Sequence, residues 1–188
     1  MPAIHLHLKI LKVQIKSPDL IDQVRAEWAS EQPDLDTGPL ETIGRILRAA
    51  HLADAQIRRV LRRTGLDPGT FDVLATLRRS GPPYRLTPTV LYRELVLTSG
   101  AVTHRVDALI RQGLVVRTPD PRDRRGCLVA LTEQGRTVID QAMAAHMRCE
   151  AELAAGLAGP DRAALAALLR NLLLAMDNGE VEEKGSEQ

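Results

Sequence analysis

Aromatic residues make up only 2% of this 188-residue chain: one Trp, two Tyr and one Phe. Its core must therefore be built from Leu, Val, Ile and Ala, which favours helices. Cysteine is as scarce, and Cys127 and Cys149 are too few for a disulfide framework or a zinc set. Arg or Glu interrupts every apolar stretch before the roughly 18 residues that a membrane-spanning helix needs, so no membrane is expected as a partner. Residues 1–17 alternate basic and branched apolar types and lack the apolar centre and cleavage site of a secretory signal. A cytoplasmic chain is expected, with an N-terminal extension of unknown structure. The signatures of catalysis are missing too: there is no glycine-rich phosphate loop, GxSxG or HExxH, and His5, His7, His51, His104 and His146 are scattered. No catalytic residue, metal or cofactor is expected.

What is present is a chain 44% hydrophobic and 26% charged, enough for one core with a helical extension. The net charge of +1 conceals a division along the chain. Residues 1–77 are balanced; residues 78–125 carry ten Arg against four acidic residues; residues 126–188 carry five basic against ten acidic. Most charge runs are solvated faces, but this block contains no lysine, and guanidinium grips phosphate bidentately.

Apolar spacing predicts a short helix over residues 18–30 and a longer one over 40–63 that stops at Gly65. A helix with Phe71, Leu74, Ala75 and Leu77 inward follows, ending near Ser80. Residues 84–86 fit a short strand. Thr87-Pro88 then supplies a hydroxyl cap and a proline at the first helical position, starting a helix that carries Val90, Leu91, Leu95 and Val96. A tight turn at residues 97–100 leads into another helix, which runs to Arg111 and ends at Gly113. Two short helices about a turn form a helix-turn-helix. Residues 114–118 and 127–131 are strand-like and flank a charged loop at 119–126, so the whole reads as a winged helix. A long helix from Thr132 and a last one from Gly159, with Leu165, Leu168, Leu169, Leu172, Leu173 and Met176 in one stripe, complete the chain.

The expected fold is mainly α with a small β wing: a winged helix-turn-helix DNA-binding domain at 67–131 and a helical dimerisation region at 18–66 and 132–179. An acidic tail follows at 180–188. The C-terminal stripe is richer than a peripheral helix needs, which predicts a homodimer. In the second helix of the motif, Val102, Val106, Leu109 and Ile110 share one arc at 100° per residue, while Gly100, His104, Asp107 and Arg111 lie opposite. Ser99, Thr103 and His104 are therefore the candidate contacts to double-stranded operator DNA in the major groove. Arg122 and Arg124 at the wing tip are candidates for the backbone and minor groove, with a neighbouring carboxylate holding the tip in shape. Arg105 falls between the two faces, where an arginine runs along the surface into a crevice and needs an anionic partner.

From Thr70 to Arg136 the chain resembles the DNA-binding domain of the MarR family of bacterial transcription regulators, most specifically in DPRDRRG followed by LTEQGR. Within that family it is similar to the urate-responsive branch. The resemblance implies a ligand-responsive regulator, a repressor that leaves a palindromic operator on binding an anionic purine such as urate, or alternatively a tricarboxylate. It implies ligand contacts at Trp28, Asp72, Arg105 and Arg117. Asp72 would pair with Arg117 while the site is empty and be repelled by an arriving anion. Two rival readings are a thiol sensor of the same fold using Cys127 or Cys149, and a small enzyme, for which no residues remain to form a catalytic domain. His51 on the long first helix is a candidate pH-sensitive interface residue.

Overall fold

The computed structural model describes residues 17–96 and 98–185. The N-terminal extension up to residue 16 lies outside them, and so do the side chains of Arg124 and Arg125. The described residues form two compact units, one over 49–153 and the other made of those before 49 and after 153.

The 49–153 unit opens with the C-terminal part of α2 (Arg45–Arg63). Helix α3 (Pro68–Arg79) starts where its sequence dictates: Asp67 accepts the N–H groups of Gly69 (2.8 Å) and Thr70 (3.1 Å), and Pro68 takes the position that needs no donor. Strand β1 (Arg85–Leu86) precedes α4 (Pro88–Glu94), which Thr87 caps by accepting the Val90 N–H. Helix α5 (Ser99–Arg111) is capped by Thr98. Strands β2 (Val115–Asp120) and β3 (Asp123–Leu131) make an antiparallel wing, and β1 adds to the free edge of β3, giving the order β1-β3-β2. Helix α6 (Glu133–Leu153) closes the unit. A Cβ on Gly135 would lie 1.9 Å from the Leu114 carbonyl oxygen, so only glycine lets the first turn of α6 reach the start of the wing.

These elements share one aliphatic core. Leu61, Leu74, Leu77, Leu91, Val102, Val106, Leu109, Val115, Val129 and Ile139 are each no more than 2% exposed. Each such side chain contributes about 1.5–3 kcal/mol by leaving water, so the core holds the helix-turn-helix and the wing as one body.

Two details depart from expectation. Helix α4 ends at Glu94, and Val96 stands 90% exposed with φ +52°, in the left-handed region, rather than continuing the helix. The wing strands extend to Asp120 and from Asp123, because backbone pairing carries the ladder through residues whose side chains look loop-like.

In the other unit, α1 (Leu20–Glu31) has Asp19 as a reciprocal cap with Asp22. The helix expected from Leu40 begins as a π-helical turn, Leu40–Gly44, that runs into α2. Arg45 ties the two together, reaching Asp19 at 2.8 Å and Asp22 at 2.5 Å, and Arg25 pairs with Glu41. The Arg45 hydrogen bonds, with those from the Asp22 and Ile21 backbone, bring the Asp19 carboxyl down to about 2. Trp28 lies on α1, 42% exposed. Helix α7 (Gly159–Gly185) shows its apolar stripe to solvent, with Leu168 at 66% and Leu173 and Met176 at 59%, and its backbone stays helical into the acidic tail. Among the described residues, no helix is long and apolar enough to cross a membrane.

Candidate nucleic-acid interface and anion site

Helix α5 sorts its residues as the 100° wheel requires. Val102, Val106 and Leu109 are buried, and Ile110 packs against the core from its edge. Ser99, Thr103 and His104 are exposed together on the opposite side. The Thr103 hydroxyl donates to the Ser99 carbonyl at 2.9 Å, which holds its methyl and hydroxyl in a fixed rotamer on that face. At the wing tip the Arg122 N–H donates to Asp120 at 2.9 Å, so a carboxylate shapes the turn through the backbone, and Arg122 is exposed there. Arg124 lies on β3. This arrangement presents a polar helix face and a cationic ribbon, the two shapes that the grooves of a duplex accept.

Arg105 behaves as its flank position predicts. It is half-buried, and its guanidinium lies over the first turn of α3. Its charge reaches Asp72, one turn further along α3, without a direct ion pair. Asp72 keeps an exposed side, yet the protein packed around its carboxyl strips hydration and raises its pKa, while Arg105 and then His146 pull in the opposite sense. Asp67 nearby is treated differently. Desolvation would raise its carboxyl too, but hydrogen bonds from the Thr70 hydroxyl and the helix N–H groups outweigh it.

Arg117 departs from expectation. It pairs with Asp107 on α5 at 2.8 Å rather than with Asp72. Periodicity alone puts Asp107 on the outward face of the helix; the turn at 112–114 brings β2 alongside that flank, a relation no helical wheel contains. Sequence reasoning also missed His146 on α6, whose ring packs on Phe71 with centroids 5.1 Å apart and whose Nε2 meets Glu150 at 3.0 Å. Its link to Asp72 is tertiary and leaves no local signal. Asp72 and Arg105 thus come together; Trp28 belongs to the other unit. Cys127 is half-buried in β3 and Cys149 is buried, both as free thiols. His51 is exposed on α2.

The MarR family model matches residues 64–126, the span from the end of α2 to the wing. Over 149 residues the chain is 32% identical to the HTH-type transcriptional regulator PecS of Dickeya dadantii, covering 79% of this chain and 90% of PecS. A mutant MarR from E. coli, solved in complex with operator DNA, superposes with a TM-score of 0.61 at 26% identity, covering 83% of this chain and 99% of that one. Sco3205 of Streptomyces coelicolor, solved in complex with DNA, shares the fold at a TM-score of 0.66 and 24% identity, covering 76% and 93%. With a helix-turn-helix, a wing and a relative matched over nine-tenths of its length, the chain belongs to the MarR family and is a DNA-binding transcription regulator.

Proposed function

We propose that this regulator binds a palindromic operator as a homodimer, represses from it, and releases it when urate or a related small anion binds. One observation carries the ligand half of this reading: Arg105 sits on the recognition helix itself, half-buried, with no carboxylate within ion-pairing distance among the described residues. A partly desolvated guanidinium without a partner is the group an anion satisfies. An anion held there acts directly on the element that reads DNA. The raised Asp72 carboxyl adds a charge-sensitive wall, and Arg117 supplies a second cation once an anion outcompetes Asp107. Trp28 is proposed as the flat apolar face for a purine, its indole being open to solvent.

Support for the dimer comes from the exposed apolar stripe of α7, since a contiguous apolar surface is what a protein–protein contact covers. On DNA, Ser99, Thr103 and His104 are assigned to the major groove and Arg122 and Arg124 to the backbone and minor groove. The test is operator affinity by fluorescence anisotropy across a salt series, with and without urate. A steeply salt-dependent complex that urate weakens in the wild type but not in Arg105→Ala is expected. A complex indifferent to urate, or an Arg105→Ala variant that responds in full, would remove this reading.

A further inference from the structure

The first turn of α3 is cut away where Arg105 crosses it. A Cβ on residue 69 would stand 2.6 Å from the Arg105 Nε and 2.7 Å from its Cζ, well inside van der Waals contact. Any side chain larger than hydrogen at this position displaces the guanidinium. The backbone does not call for glycine here: Gly69 lies inside the helix and is not among the residues with positive φ. Alanine forms helix more readily than glycine, so glycine at 69 weakens α3. The weakness is explained by what lies above it.

We propose that Gly69 is a positioning residue of the anion site, a notch in α3 that seats the Arg105 guanidinium; the proposal rests on the ligand reading given above. Arg105 has few other places to go. Its neighbours one turn either way, Val102 and Leu109, are buried, and so is the adjacent Val106, so the side chain cannot turn inward. The helix terminus is not itself the receptor, because Asp67 already accepts the Gly69 and Thr70 N–H groups and Pro68 has none. The notch therefore fixes a single cation of α5 against α3 at a stated point, beside Asp72. An anion that draws the guanidinium out of the notch, or locks it in, changes how the two helices are joined.

The clash falls on the far end of a flexible side chain, so Gly69→Ala expels the guanidinium while the fold persists. The experiment compares wild type, Gly69→Ala, Arg105→Ala and the double variant in thermal melting and in urate titration of the operator complex, each normalised to its own affinity without urate. We expect Gly69→Ala to melt at or above the wild-type temperature and to need about tenfold more urate for half-release. The double variant should respond no less than Arg105→Ala alone, since Gly69 acts only through Arg105. A Gly69→Ala chain with wild-type urate response, beside an Arg105→Ala chain that has lost it, overturns the notch and leaves the ligand reading standing. So do losses that add in the double variant, or a lowered melting temperature in Gly69→Ala. An Arg105→Ala chain with a full response overturns both. A readout that needs no ligand is the nuclear Overhauser contact between the Gly69 Hα and the Arg105 Hδ protons; it is expected in the wild type, and its absence overturns the seating.

Discussion

Asp107 on α5 and Arg117 on β2 are joined by a 2.8 Å ion pair that ties the recognition helix to the wing. Both side chains are about two-fifths exposed, so the pair contributes only about 0.2–1 kcal/mol, and its importance lies in occupying Arg117. Removing the carboxylate frees that guanidinium for an anion. Asp107→Asn should therefore lower the urate needed for half-release a few-fold while its urea midpoint stays close to the wild-type value. An unchanged urate response would separate Arg117 from the anion site.

The Asp72 carboxyl is raised by desolvation against the pull of Arg105 and His146. A carboxyl raised in the folded chain favours folding below its unfolded value, near 3.8, and that contribution is lost as pH rises through the folded value. At neutral pH the ionised Asp72 is therefore a liability. Asp72→Asn should be more stable than the wild type in urea at neutral pH, and the gap should close as the buffer is acidified below the carboxylate range. A gap that widens on acidification would mean that the carboxyl is lowered instead.

Val96 holds a left-handed conformation, φ +52°, that a β-branched residue adopts only at a cost, and at 90% exposure it gains nothing from burial. Asparagine tolerates that region. Val96→Asn should raise the melting temperature by roughly 2–4 °C. A fall in melting temperature would show that the turn between α4 and α5 depends on the valine side chain.

Arg122 stands at the wing tip with its backbone fixed by Asp120. If its guanidinium meets phosphate, Arg122→Ala should weaken operator and unrelated DNA alike and reduce the slope of log affinity against log salt by about 1. Unequal losses between the two DNAs, with an unchanged slope, would assign it to base reading.

The winged helix is legible in the sequence because its boundaries are written in local chemistry. Thr87-Pro88 sets the start of α4, its hydroxyl accepting the Val90 N–H as the sequence predicts, while the caps at Asp67 and Thr98 are the same chemistry seen in the structure. The exposed face of α5, proposed above to read DNA, follows from periodicity alone. Val96 is not legible, because the chain reverses there without the glycine that normally marks such a turn. The proposed anion site is half legible. The flank position of Arg105 foretells a guanidinium laid along the surface into a crevice, but its seat on Gly69, the Asp107–Arg117 pair and the pull of His146 on Asp72 are contacts between distant segments, set by how helices and strands pack rather than by any spacing.

On the proposed function the same helix answers to an anion and to DNA, and reciprocity tests this most directly. Calorimetry would give the affinity of urate for the free protein and for the operator complex. Urate should bind the complex more weakly, by the same factor by which urate weakens operator binding. Equal urate affinities in the two states would contradict it, since a ligand indifferent to bound DNA cannot release it.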